Sequence, residues 1–440
     1  MAINSTIIIG AGAAGLAAAR DLSRAGHEVI VLEARDRIGG RVSTHSDPES
    51  PVPIELGAEF VHGKSPALWQ IANAANLKLY EVSGRHWYFD SGKISKSHGF
   101  WKKIESLMDR MKSSPTDQSV QDFLEGLDDE ETARAKAMVT RYVEGFQAAE
   151  IDRIGVRGLI AFNEASDSIA GDTSFRFENG YNSLMLALRA EAESYGARFH
   201  LNTIVKKILW AGEEATVASD AVAEYSASTI IVTVPLSILQ RDSSDGGIVF
   251  VPDLPASKQV AIRRLVMGNV LKINLRFHER FWEDAKLWDE QAEHVNFKDA
   301  GFFHYPEAPL PTWWTQLPIR APLLVGWAGG PRADRLWSLG TSAILDQAIE
   351  SLALIFNISA NEVRAQLAAS YIHDWHDDPF SRGAYSYLPV NGLEDRQVLA
   401  QSLDHKLFFA GEATSAGHIG TVHGAIQSGQ RAALEILSME

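Results

Sequence analysis

The sequence predicts an α/β protein in which a doubly wound parallel sheet is interleaved with an α+β domain. Three observations carry this. The glycine run Gly10-Ala11-Gly12-Ala13-Ala14-Gly15 lies between a short apolar run and an alanine-rich stretch. Apolar runs suited to further strands of the same sheet return much later, at residues 229–234 and 407–410. Between these lie richly charged, helically patterned segments and a stretch crowded with tryptophan and proline. At 440 residues the chain is too long for one ordinary core and suits two or three domains.

Taken in order, Thr6 to Ile9 read as a buried parallel strand, and residues 13–25 as a helix stopped by Gly26. Residues 28–32 form the next strand, ending at Glu33. This is a complete Rossmann-like strand–helix–strand unit. Its glycines serve a tight turn, a close backbone approach to a pyrophosphate, and close helix–strand packing. The pyrophosphate would sit on the positive end of the helix, and Glu33, 18 residues after Gly15, would accept from ribose hydroxyls. Residues 100–111, 120–127 and 130–146 read as amphipathic helices covering the site. A helix over 183–195 precedes strands at 198–201, 203–209 and 229–234. Residues 272–277 alternate as a strand. Residues 305–327 read as sheet and loops around a pocket, 342–356 and 361–370 as helices. A strand at 407–410 leads into a last helix over 422–438. The boundaries predicted are 1–78, 180–265 and 371–440 for the dinucleotide-binding domain, and 79–179 and 266–370 for the substrate-binding domain.

Composition narrows the chemistry. There is no cysteine, which excludes disulfides, thiolate metal sites, cysteine nucleophiles and a cofactor bonded through cysteine. The net charge of -15 leaves no basic patch for nucleic acid. No stretch suits a membrane span or a signal peptide, so a cytoplasmic protein is expected, as monomer or homodimer. His373 and His376 with Asp374, Asp377 and Asp378 are too incomplete a set to predict a metal.

Five separated motifs carry a resemblance. The glycine run and Glu33 come first, with Ala34 and Arg35 beside the acid. Arg37-Ile38-Gly39-Gly40-Arg41 is the second, and resembles the flavoprotein group of amine oxidases, phytoene desaturases and protoporphyrinogen oxidase. The third is Glu55-Leu56-Gly57-Ala58-Glu59-Phe60-Val61-His62-Gly63, the fourth Lys272, and the last Gly411-Glu412 with Thr421 and Val422. Over its length the chain resembles the FAD-dependent amine oxidases, a family that includes monoamine oxidase, polyamine oxidase and the flavin histone demethylases. The resemblance implies a Rossmann-like FAD-binding domain of the amine oxidase type. It implies FAD contacts at Gly10, Gly12, Ala14, Gly15, Glu33, Ala34, Arg35, Gly40, Arg41, Leu56, Gly57, Ala58, Glu59, Val205, Trp375, Gly411, Glu412, Thr421 and Val422.

It further implies that Lys272 works beside flavin N5 and that Tyr385 is one wall of an aromatic cage around the amine. The second cage tyrosine is replaced by Thr421. Ala384 stands where monoamine oxidases carry the cysteine bonded to flavin, so noncovalent FAD is implied. Glu59, Phe60 and His62 would face the substrate, and Glu59 could pair with a second ammonium or serve an internal salt bridge. The expected reaction is hydride transfer from an amine to N5, hydrolysis of the imine, and reoxidation by O2 to H2O2. A polyamine- or diamine-like substrate is favoured over a monoamine. The alternatives are an L-amino acid oxidase, with Arg382 or Arg176 for the carboxylate, a desaturase, and a non-catalytic flavoprotein.

Overall fold

The computed structural model describes residues 4–90, 93–95, 100–114, 116–127, 133–220, 224–285 and 295–439. Its first core is a five-stranded parallel sheet in the order Arg198–His200, Glu28–Leu32, Ser5–Ile9, Thr229–Val232 and Leu407–Phe409. Three distant stretches of chain supply it. The near-continuous Ile, Val, Leu and Phe content of the strands other than the edge strand Arg198–His200 reflects burial on both faces. One face is covered by helices Ala13–Arg24, Asn182–Ser194 and Val422–Leu437. The other packs toward a four-stranded sheet containing Val205–Leu209, Ala215–Ser219, Glu224–Ala227 and Val249–Val251.

The second core is a seven-stranded sheet. Its order is Leu367–Ile372, Val270–Phe277, Leu323–Gly329, Thr312–Trp314, Ala300–His304, Arg85–Asp90 and Lys93–Ser95. Helices Gly330–Trp337 and Thr341–Phe356 pack on it. Helices Phe100–Lys112, Val120–Glu125, Ala133–Phe146 and Val156–Asp167 form a third cluster. Of the helix expected over 130–146, residues 130–132 lie outside the described residues.

Two expectations are corrected. The helix expected over 361–370 is Ala360–Gln366, and Leu367–Ile372 is an edge strand paired with Val270–Phe277. A capping box at Ser359 and Glu362 starts that short helix, but the β-sheet recruits the residues after Gln366 because pairing satisfies their backbone groups. The strand around Lys272 does not alternate between core and solvent; all eight residues of Val270–Phe277 are buried. One face meets the second core, and the other faces the segment at Glu55 to Glu59, so both sides exclude water. No single helix among the described residues is long and apolar enough to cross a membrane.

Candidate active site

A cavity of about 1720 Å³ runs from the glycine loop, past the strand carrying Lys272, to the aromatic wall of the second sheet. At its first end the backbone is forced by close approach. Gly10 has a φ of +107°, and a Cβ at Gly15 would sit 2.0 Å from the Gly10 carbonyl oxygen. A Cβ at Gly12, by contrast, would meet nothing within 4 Å, and this residue opens the helix Ala13–Arg24 toward the cavity. Both Glu33 carboxylate oxygens accept backbone N–H bonds, from Ala11 at 2.7 Å and Arg35 at 2.9 Å. Burial pushes this carboxyl up, and the two N–H donors oppose that shift. Arg35 turns its guanidinium away to Asp378, at 2.8 and 2.6 Å, and to Ser381. It fastens the first segment of the chain to the last. Ala34 and Val205 line the cavity beside them.

The Gly39-Gly40-Arg41 turn is pinned to the glycine loop by the Gly39 N–H donating to the Ala11 carbonyl. Arg41 Nη1 then donates to Glu412 at 2.9 Å and to the Ala384 carbonyl at 2.8 Å. Glu412 also accepts from Ser386 Oγ and the Gly420 N–H. Gly411 is anchored by Ser428, and Trp375 Nε1 donates to the Leu56 carbonyl at 2.9 Å. Gly57 packs so closely on Arg41 that a Cβ would lie 2.0 Å from the Arg41 carbonyl oxygen. Ala14, Gly40, Ala58 and Val422 complete this part of the lining.

Lys272 is fully buried opposite Trp327 on the next strand. Its Nζ lies 2.7 Å from Glu59 Oε2 as an ion pair, and donates to the Gly57 carbonyl at 3.0 Å. Glu59 Oε1 accepts from Arg176 Nε at 2.8 Å and Trp314 Nε1 at 2.9 Å. Burial alone would raise the Glu59 carboxyl; Lys272 and Arg176 outweigh it and hold it at about 2. Of the two readings open for Glu59, the structure shows the internal salt bridge. Strand Ser174–Phe177 pairs with Val61–His62 and delivers Arg176, so protein cations already occupy both sides of the carboxylate. Phe60 lies beneath the Arg176 guanidinium at 4.7 Å.

His62 lines the cavity, bonded to Ser174 and edge-on to Phe146, and burial holds its ring at about 4, so it is neutral. The Tyr385 hydroxyl donates to the Phe146 carbonyl at 2.7 Å, and burial raises its pKa. Thr421 does not replace the missing aromatic wall. Its hydroxyl accepts from the Gly424 N–H at 3.0 Å and donates to the His418 carbonyl, capping the helix Val422–Leu437.

These motifs converge on one cavity, and the family model for flavin containing amine oxidoreductases matches residues 13–437. The chain belongs to the flavin-containing amine oxidoreductase family. It is 30% identical to polyamine oxidase 4 of Oryza sativa subsp. japonica over 98% of this chain and 88% of that one. It is 27% identical to lysine-specific histone demethylase 1 homolog 3 of Arabidopsis thaliana, again over 98% of this chain but only 30% of that relative. Wild-type putrescine oxidase bound to putrescine has the same fold, with a TM-score of 0.82, 22% identity and 99% of each chain covered.

The residues of this amine oxidase fit the FAD that its family carries. The open side of Gly12 at a helix N-terminus leaves room for a pyrophosphate, and the cavity continues as far as Trp375 and Lys272. Ala384 offers no thiol for a covalent link. Among the described residues no cluster of His, Asp and Glu could hold a metal. Sequence reasoning missed most of the aromatic wall: Trp314 and Trp327 beside Lys272, and Tyr142 and Phe146 beside Tyr385. The stretch 305–327 signalled a pocket, but its pairing register alone set which tryptophans face it. Phe146 came from a helix with no motif at all.

Proposed function

We propose that this amine oxidase oxidises a primary or secondary amine to an imine, which water hydrolyses to an aldehyde or ketone, with O2 as final acceptor and H2O2 as product. The observation that carries this reading is Lys272, buried between Glu59, the Gly57 carbonyl and Trp314, in the same cavity as the glycine loop. FAD bound along the cavity would supply N5 as acceptor for the hydride that leaves the substrate α-carbon. The protein's residues do the rest. Tyr385, Trp314, Trp327 and Phe146 make an apolar wall that favours the uncharged amine, the form able to give up a hydride. Glu59, itself held by Arg176, fixes Lys272 Nζ in place on the cavity wall. The N-terminus of helix Val422–Leu437 gives a positive end near the cavity, suited to a flavin that gains negative charge.

The relatives' names support a polyamine or diamine among the substrates, and Glu59 is already paired with Lys272 and Arg176. The L-amino acid oxidase alternative loses its two arginines. Arg176 is committed to Glu59 and to the Thr315 carbonyl, and Arg382 is exposed. Anaerobic stopped-flow absorbance tests the reading, with spermine, spermidine, putrescine, phenylethylamine, nicotine and L-amino acids in turn. Bleaching by one amine class establishes amine oxidation. Flavin that stays oxidised with every amine would overturn it in favour of a desaturase.

A further inference from the structure

Two aromatic residues from different sheets meet at one helix end. Of the strand Leu323–Gly329 only Trp327 is not fully buried, and of the strand Tyr385–Tyr387 only Tyr385. Both line the cavity. Trp327 Nε1 donates to the Gly145 carbonyl at 2.7 Å, and the Tyr385 hydroxyl donates to the Phe146 carbonyl at 2.7 Å. Gly145 and Phe146 are the last two residues of helix Ala133–Phe146, where carbonyls have no partner within the helix. Close backbone approach seats this helix end. A Cβ at Gly329 would lie 2.6 Å from the Glu144 and Gly145 carbonyl oxygens, and one at Gly268 would lie 2.3 Å from that of Ala148.

Strand register places both rings beside the reacting end of the cavity. Trp327 is directly opposite Lys272 in an antiparallel pair, so the two side chains stand on the same face. Tyr385 is opposite Gly268, just before Lys272 in the same run of chain. Trp314, 6.0 Å from Trp327 between ring centres, is buried and gives its Nε1–H to Glu59. Trp327 is thus the ring left open beside Lys272. Thr421 lines the same cavity, but its hydroxyl is spent on a helix cap and it brings no ring.

We propose that Trp327 is the second wall of the aromatic cage opposite Tyr385, serving where Thr421 supplies no ring, and that the last turn of helix Ala133–Phe146 positions both walls. This rests on the reading of the reaction as amine oxidation. The amine must present its α-carbon to the flavin in one orientation, and a flat ring on each side of it removes the others. Each ring carries one polar atom, and a main-chain partner for that atom leaves only carbon facing the amine. A ring already held in place also needs no ordering when the substrate binds.

The test uses the FAD-loaded enzyme and whichever of spermine, spermidine, putrescine, phenylethylamine and nicotine reduces its flavin fastest. Anaerobic stopped flow gives the limiting reduction rate and the apparent dissociation constant separately. Trp327→Leu, which removes the ring, should weaken binding and lower the limiting rate roughly tenfold or more. Trp327→Phe keeps a ring but loses the N–H bond to Gly145. It should recover most of the affinity and only part of the rate. Flavin content and melting temperature are read on each variant. A Trp327→Leu enzyme reduced like the wild type would overturn the proposal while amine oxidation stands. So would a Trp327→Phe enzyme no better than Trp327→Leu, or a lost rate matched by lost flavin, since either marks a role in the fold alone. Should Trp327→Leu fail to fold, Trp327→Phe decides: a lowered rate with flavin content intact upholds the proposal, and a wild-type rate overturns it. If no amine reduces the wild type, amine oxidation falls and calorimetric titration with the same amines decides. Binding weakened by Trp327→Leu would then uphold the wall, and binding unaffected, or absent in the wild type, would sink it.

Discussion

Lys272, Glu59 and Arg176 form a buried chain of alternating charge, and its middle member controls the other two. Removing the Glu59 charge leaves two cations without a counter-ion in a site that excludes water. Glu59→Gln should cost about 3–5 kcal/mol, read from urea unfolding of the FAD-loaded protein. A loss below about 1 kcal/mol would show that solvent reaches the pair. Lys272→Met leaves Glu59 paired with Arg176, so the fold should survive. Flavin reoxidation by O2 should slow roughly tenfold or more, measured by mixing the reduced enzyme with oxygenated buffer. Glu55, earlier in the same segment, behaves oppositely. It accepts from the Tyr181 N–H and from Thr44, yet burial pushes its carboxyl from 4.5 up to about 7. Between those values the folded protein binds more protons than the unfolded chain. Its contribution is complete below pH 4.5 and is lost as the pH rises through about 7. Glu55→Gln should flatten stability across that window, checked by unfolding at a series of pH values. An unchanged slope would assign the dependence to another group.

At the scale of elements, close backbone contacts set how the helices meet the site. Helix Ala13–Arg24 rests on its strand through Gly15, where even a methyl group would collide with the Gly10 carbonyl. Gly15→Ala must push helix and strand apart. A loss of about 1–3 kcal/mol is expected, together with weaker FAD retention, measured as flavin content after gel filtration. Full retention of FAD would place the pyrophosphate elsewhere. Helix Val422–Leu437 depends on Thr421, and Thr421→Ala should cost about 1 kcal/mol through the lost cap. Thr421→Val separates the cap from the size of the side chain. The short edge strand Leu367–Ile372 shows how context overrides pattern. Its residues read as the end of a helix, but the sheet edge at Val270–Phe277 offers partners to the backbone groups on one side of them.

At the scale of the molecule, the cavity lies where four packed clusters meet, and each contributes lining that the others lack. FAD that fills it binds only the folded chain. Adding FAD to stripped protein at 100 times its dissociation constant should therefore stabilise the fold by about 2.7 kcal/mol, read as a concentration-dependent rise in melting temperature. Much of the site was legible in the sequence because its motifs are backbone-bound. Gly10, Gly15 and Gly39 answer to close approach, and Gly40 and Gly411 to positive φ angles of +58° and +133°, both conditions that favour glycine, so composition reveals them. The partners of Glu59 were not legible. Arg176 lies 117 residues away and reaches the carboxylate only because Ser174–Phe177 pairs with Val61–His62. The pairing of Arg85–Asp90 with Ala300–His304 was equally silent, since no motif links two strands whose partnership is set by register.

The sequence by itself determined the family, the FAD chemistry and the order of strands in the first sheet's opening unit, because local geometry and phosphate recognition demand particular residues at fixed spacing. Only the tertiary structure decided whom the buried charges face. It paired Glu59 with Lys272 and Arg176, made Thr421 a helix cap as well as part of the cavity lining, and set the aromatic wall. A buried charge takes whichever partner the folded chain brings within about 3 Å, and that distance is fixed by the pairing of strands far apart in sequence.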